Sequence, residues 1–264
     1  MITFFISFSS LAVWMDRLER DLKGVKSGVS IAGHEVGGLL PLEVRQVVHE
    51  LALQYHRCPL EPRIDRTSGQ IIAEQPGTLL DIAGCEKLIM NAGPGEQLEV
   101  LLLPVSPRHS SEEIAAANRV VGSYQTWVSG SYQRYTNVSM ASRGINNVLL
   151  WPGEQFSFND IVGPRSLERG YLPAPIILMG SDAMDFGGGV CQVASTLYNA
   201  ALAAGLSIDE RHGHTREIHY VPPGRDATVT YGDLDLCFSN NQDGPVIIRS
   251  ALNGNRLWVK IMGR

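Results

Sequence analysis

Residues Phe186–Gly205 read FGGGVCQVASTLYNAALAAG. Three glycines, Gly187 to Gly189, run directly into a helical pattern whose second residue is Cys191. Glycine tolerates positive φ and the close approach of another backbone, so the run reads as a tight loop. A helix is expected from Val190 or Cys191 to Gly205, which suits the position just past a helix end. Val193, Leu197, Ala201 and Ala204 make an apolar stripe, and Cys191, Ser195, Tyr198 and Leu202 share another face. Cys191 therefore falls in the first turn. The partial positive charge at a helix N-terminus favours a thiolate there. Backbone N–H groups of Cys191 and Gln192 would then be placed to stabilise an oxyanion. Taken alone, a cysteine of this kind is more often buried and inert.

A nucleophilic cysteine needs a base, and the base needs a group to orient it. His212, His214 and His219 follow in DERHGHTREIHYVP, then Asp226 in PPGRDATV, then Asp233 and Asp235 in YGDLDLCF. The order Cys on a helix, His downstream, acid after it is a workable thiol-hydrolase layout, shared with transglutaminase-like and NlpC-type enzymes. Arg165 in GPR and Arg211 are candidates to hold a substrate carboxylate, because a guanidinium fork matches that group. Taken alone, each reads more readily as a member of a structural ion pair with one of the nearby acids. There is no CxxC, and His212 and His214 at i, i+2 match metal spacing poorly, so no metal is expected. The glycine run is no GxGxxG and lacks a Walker lysine, so no nucleotide cofactor is expected either.

Outward from this stretch, REIHYVP, ATVTY, LDLCFSN, GPVIIRSALNG and RLWVKIMG are short, β-branched and separated by turn residues. They predict a mostly antiparallel sheet behind the Cys-bearing helix. Upstream, YTNVSMASRGINNVLL predicts a helix, WPGEQFSFNDIVGPR a turn-rich segment, and APIILMG a strand. The first third reads as a small module: a strand at SGVSIAG, a helix at LPLEVRQVVHELALQY, a hairpin turning at Ser68-Gly69, a helix opened near Asp81, and a buried strand at EQLEVLLLPV. The expected class is α+β throughout. The expected division is an apolar segment over 1–24, an α+β module over 25–105, a linker helix over 106–122 capped by Ser110 and Glu113, and a second domain over 123–264.

The 264 residues are 44% hydrophobic and 19% charged, with a net charge of −5 and no long basic run, so nucleic acid is not an expected partner. MITFFISFSSLAVW, at the N-terminus, reads either as a truncated signal or membrane anchor or as a first apolar element of the fold. Cys58 and Cys85 are either a disulfide pair or two buried thiols.

The stretch from about 123 to 262 resembles the VanW family, named for an accessory protein of vancomycin-resistance clusters. The resemblance is carried by WPGEQFSFNDIVGPR, GGGVCQVASTLYNAAL, ERHGHT, YVPPGRDATV and LDLCFSNN. The preceding GVSIAGHEVGGLLPLEVRQVV resembles a peptidoglycan-binding type of domain that often stands before VanW domains. The matching positions include Gly187 to Gly189, Cys191, Gln192, Ser195, Thr196, Tyr198, Asn199, Glu210, Arg211, His214, Arg225, Asp226 and Asp235; Thr215 stands where the family usually has Ser. The resemblance implies an extracytoplasmic, envelope-associated bacterial protein whose partner is peptidoglycan or its peptide stems. It makes His214 the preferred base and Asp226 the preferred orienter for Cys191. Gly188, Gly189, Gln192, Ser195, Arg165 and Arg211 are then the substrate-binding candidates. Two functions follow: a cysteine-dependent amide hydrolase or acyltransferase, or a non-enzymatic envelope module that binds peptidoglycan or a partner protein.

Overall fold

The computed structural model of the chain describes residues 8–178 and 181–264. Its contacts divide the chain into two units: Met1–Glu61 with Glu74–Arg108, and Pro62–Ala73 with His109–Arg264. Both mix helices with small, mostly antiparallel sheets, an α+β architecture.

In the first unit, helix Pro41–Tyr55 turns Val44, Val48 and Leu51 inward at helical spacing, and Pro41 occupies its first turn, where no backbone donor is lost. Helix Ile82–Met90 starts at Asp81, whose carboxylate accepts the Gly84 N–H at 2.9 Å. Its Cys85 and Ile89 complete a core with Val29, Ile31 and Leu80. Ser30–Ile31 pairs antiparallel with His34–Glu35 and parallel with Gln97–Leu98. EQLEVLLLPV is not one buried strand. It splits into Gln97–Leu98 and Leu102–Val105, which pair in different sheets, and Leu101, Leu102 and Leu103 are exposed. Cys58 is exposed and Cys85 buried, and both are free thiols, so the pairing expectation does not hold. Helix Phe8–Lys23 takes up much of the apolar N-terminal segment, with Leu11, Trp14, Leu18 and Leu22 exposed; residues 1–7 of that segment lie outside the described residues. Among the described residues no helix is long and apolar enough to cross a membrane.

The second unit is built on a four-stranded antiparallel sheet, in the order Arg119–Trp127, Arg256–Gly263, Val246–Asn253, Val148–Leu150. Helix Val190–Ala203 packs on the first two strands. The approach is close enough that a Cβ on Gly122 would lie 2.4 Å from the Ala200 carbonyl oxygen. Helix Tyr132–Ile145 packs on Val246–Asn253, joined to it by a buried Ser142–Ser250 hydroxyl pair at 2.6 Å. A smaller sheet orders Gln155–Ser157, Cys237–Ser239 and Ser207–Glu210, with Phe156 and Phe238 stacked at 4.7 Å. Pro173–Leu178 and Ser181–Phe186 form a separate hairpin.

Three expectations are redrawn. The hairpin Arg63–Ile64/Ile71–Ile72 joins the second unit, because Ile64 is buried with Ile114, Trp151 and Ile247. The capped helix is real, with Ser110 and Glu113 exchanging side-chain and backbone hydrogen bonds, but it ends at Ala116. Strand Arg119–Trp127 begins three residues later, since pairing with Arg256–Gly263 outweighs any continued helix. REIHYVP and ATVTY are irregular rather than strands; bridges at His212–Thr228 and Thr230–Leu234 are the nearest approach of ATVTY to pairing.

Candidate functional site

The glycine loop and the helix behind it are locked by backbone bonds from Val190 N–H to the Gly187 carbonyl and from Gln192 N–H to the Gly189 carbonyl, both 3.0 Å. Gly187 and Gly189 have φ of +84° and +104°, values that L side chains rarely adopt. Space forbids side chains as well. A Cβ at Gly187 would lie 2.8 Å from Arg165 Cβ and Cγ, and one at Gly189 3.0 Å from Arg134 Cγ. The stems of two arginines lie against the loop, which explains why the sequence leading to Cys191 is glycine. Gly188 meets the Ala174 backbone instead, at 2.7 Å from its carbonyl oxygen.

The helix then fixes its neighbour strand-like segment. Ser195 Oγ accepts the Ala227 N–H and donates to the Cys191 carbonyl, each at 2.8 Å. Asn199 Nδ2 donates to the Arg225 carbonyl at 2.6 Å. Residues 225–229 are thereby held along the face that carries Cys191, whose Sγ lies 3.6 Å from the Val229 carbonyl oxygen.

Asp226 is held within this segment. Its Oδ2 accepts from His214 Nδ1 at 2.7 Å and from the His214 backbone N–H at 2.6 Å; its Oδ1 accepts from Arg211 Nη2 at 2.7 Å. The His214 and Asp226 side chains are only 9% and 12% exposed. With Nδ1 on the carboxylate, Nε2 is the nitrogen left for proton exchange. The imidazole and the Cys191 thiol lie close enough for each to shift the other's pKa. Burial pushes the thiol pKa up, but the neighbouring His214, the Val229 backbone and the Arg165 charge outweigh it, and the net direction is down. For His214, burial works against the cation, yet neighbouring Cys191 and the bond to Asp226 carry its pKa above the usual histidine value. For Asp226, burial is likewise opposed and outweighed by the His214 bonds, and its pKa falls. All three directions favour a thiolate–imidazolium pair oriented by a carboxylate.

This constellation opens on a cavity of about 520 Å³, whose walls include Cys191, His214, Tyr220, Arg134, Arg165 and Thr228. Tyr220 Oη is 3.5 Å from His214 Nε2, and the rings meet edge to face. Burial raises the Tyr220 pKa, which keeps it a neutral phenol able to donate. Arg165 Nη1 donates to Asn159 Oδ1 at 2.6 Å, and the guanidinium sits over the Phe158 ring. Arg165 Nη2 and Thr228 Oγ1 are the two buried side-chain polar atoms, among the described residues, without a hydrogen-bond partner. Such a group costs about 1–3 kcal/mol, more when charged.

The other candidate residues serve the frame. Gly188, Ser195 and Arg211 are not among the cavity walls. Arg211 is committed to the Asp226 side chain and carbonyl and to the Gly224 carbonyl, and it stacks on Tyr198. Gln192 lines the cavity, but its amide bonds Thr126, the Trp127 carbonyl and Arg134, and its backbone N–H is spent on Gly189. That last bond removes one of the two expected oxyanion donors. His212 pairs with Glu210 at 2.8 Å, and His219 is exposed. Tyr220, Arg134 and Thr228 were not singled out in the sequence: Tyr220 and Thr228 stand near the two ends of YVPPGRDATV, where Asp226 took the attention, and Arg134 directly precedes the helical stretch YTNVSMASRGINNVLL. Among the described residues no cluster of three or more His, Cys, Asp or Glu could hold a metal ion.

Comparison with known proteins shows what the chain is similar to. The family model described as VanW like protein matches residues 133–262, a span that contains Cys191, His214 and Asp226. The uncharacterised protein YoaR of Bacillus subtilis is 41% identical over 171 residues, 64% of this chain and 56% of that protein. The vancomycin B-type resistance protein VanW of Enterococcus faecalis is 31% identical over 112 residues, 40% of this chain and 41% of that protein. The chain thus spans about half the length of the curated relatives it matches. No solved structure matches it. The motif-bearing loop, the Cys191 helix and the segment carrying His214 and Asp226 therefore all lie within residues 133–262, the part of the chain that is similar to VanW-family proteins.

Proposed function

We propose that the second unit is a cysteine-dependent amide hydrolase or acyltransferase acting on peptide stems of the bacterial cell wall. The observation that carries the reading is the chain of contacts Cys191–His214–Asp226 at the wall of a cavity. In the first step the Cys191 thiolate attacks an amide carbonyl carbon, and the C–N bond breaks as protonated His214 gives its proton to the leaving nitrogen. The product is a thioester on Cys191. In the second step neutral His214 takes a proton from water, or from an acceptor amine, which attacks the thioester and releases the thiol. Asp226 holds the imidazole in the required tautomer and offsets its charge.

The cell-wall substrate class rests on the relative named for vancomycin resistance and on the first unit's likeness to a peptidoglycan-binding type of domain. On this reading the protein works outside the cytoplasm, and the first unit keeps it on the wall. The test is turnover of purified muropeptides by the unaltered protein, Cys191→Ala, Cys191→Ser and His214→Ala. Loss of activity by about 10²-fold or more in each variant is expected. Equal activity in all four overturns the roles of Cys191 and His214. Pelleting with purified cell wall that survives Cys191→Ala, with no turnover by any form, would leave a binding module.

A further inference from the structure

We infer that the cavity takes a substrate bearing a free carboxylate, held by Arg165 and Thr228 beside the Cys191–His214 pair. This rests on the reading of Cys191 as a nucleophile and adds the chemistry of what it meets. The two orphaned polar atoms, Arg165 Nη2 and Thr228 Oγ1, belong to side chains of the same cavity wall. One is a charged donor. The other is a hydroxyl that can donate as well. A carboxylate has two oxygens and satisfies both with charge-assisted bonds. Neither a neutral amide nor an ammonium group answers a guanidinium in this way.

The surrounding charge points the same way. Among the described residues, Arg134 and Arg165 line the cavity together with one acid, Asp185. Arg134 bonds the neutral Gln192 amide, so its positive charge is not cancelled. Arg165 bonds a neutral amide too, and no carboxylate forms an ion pair with it among the described residues. Arg211 shows the contrast: its guanidinium is used up on Asp226. The glycine loop also has a role here, because a Cβ at Gly187 would displace the Arg165 stem.

The experiment uses two alkylating reagents of nearly equal size, iodoacetate and iodoacetamide, on the full chain. In both, a bond forms between the thiolate sulfur and the reagent's methylene carbon as iodide leaves. Modification of Cys191 is followed by peptide mass spectrometry, with the exposed Cys58 as internal reference. The iodoacetate-to-iodoacetamide rate ratio at Cys191, divided by that at Cys58, is expected to be about ten- to a hundredfold. Arg165→Gln should bring this quotient close to one, and Thr228→Val should lower it by about threefold, while Arg165→Lys retains part of it. A quotient near one in the unaltered protein, with Cys191 readily modified by iodoacetamide, overturns the carboxylate site and leaves the nucleophile standing. Failure of both reagents at Cys191 overturns the nucleophile and this inference with it.

A second measurement needs no variant. N-acetylalanine, N-acetylglutamic acid 1-amide and N-acetylalaninamide are each tested for slowing the reaction of Cys191 with iodoacetamide. Protection by the first assigns a terminal carboxylate, protection by the second a side-chain carboxylate. Equal effects of all three, or equal protection by inorganic phosphate, overturn the assignment.

Discussion

The two units are stabilised in different ways. The first buries apolar side chains: Val29, Ile31, Val44, Val48 and Ile89 are fully covered. In the second, a comparable core shares its interior with Thr126, Asn137, Gln192, Ser195, Thr196, Asn199 and Asp226. Every buried polar side chain among the described residues belongs to that second unit. Apolar burial is non-directional and tolerates repacking, whereas a buried hydrogen bond fixes one geometry. The difference marks where exact placement matters: Ser195 and Asn199 determine where residues 225–227 run, and through Asp226 where His214 stands.

The sharpest way to break this contrast is Asp226→Asn. It should lower Cys191-dependent turnover by about a hundredfold, through loss of the imidazolium's partner. It should also cost about 2–3 kcal/mol, less than a fully buried pair because Arg211 keeps a quarter of its side chain exposed. The pH profile follows from the sign of the shifts. A carboxylate with a depressed folded pKa stabilises above its ordinary range and loses that contribution as pH falls through the folded value. Acid should therefore destabilise the unaltered second unit more than Asp226→Asn. Denaturation followed by tryptophan fluorescence reads this, since Trp127, Trp151 and Trp258 lie in the second unit and Trp14 in the first. The raised His214 works in the opposite sense: its contribution is complete below the ordinary histidine range and is lost as pH rises through its folded value.

Ile89→Ala tests the other half. It should destabilise the first unit by about 2–5 kcal/mol through a cavity, with the iodoacetamide rate of Cys191 unchanged. Ser195→Ala should cost the second unit about 1–3 kcal/mol by orphaning the Ala227 N–H, and should slow Cys191 alkylation as well. Loss of stability with an unchanged rate would show that residues 225–227 do not depend on that hydroxyl. The smallest effect is expected from Ser110→Ala, about 1 kcal/mol by loss of a helix cap, measured by chemical denaturation.

Much of this was legible in the sequence. The start of the Cys191 helix, its end at Gly205, the Asp81 and Ser110 caps and the final strand pair are local patterns, written in capping chemistry and periodicity. The order Cys191, His214, Asp226 gave the central constellation. The long-range choices were not legible. Which of Arg165 and Arg211 would be committed depended on where Asp226 came to lie. Thr228 lies in a segment that is β-branched yet irregular, because the Ala227 N–H and the Val229 carbonyl are engaged by the Cys191 helix. Residues 62–73 were misplaced for a similar reason: a hairpin declares its turn, while its packing partner, Trp151 and Ile247, is remote in sequence.

The central strand Arg256–Gly263 lies between Arg119–Trp127 and Val246–Asn253, and the Cys191 helix packs against it. During synthesis Cys191, His214 and Asp226 are all added to the chain before that strand exists. Until it is made, the helix has no complete surface to settle on, and residues 225–229 have no fixed rail to follow. The arrangement of Cys191, His214 and Asp226 is thus completed only once this strand has been made. A chain cut short before residue 256 would carry every residue of the constellation without its arrangement.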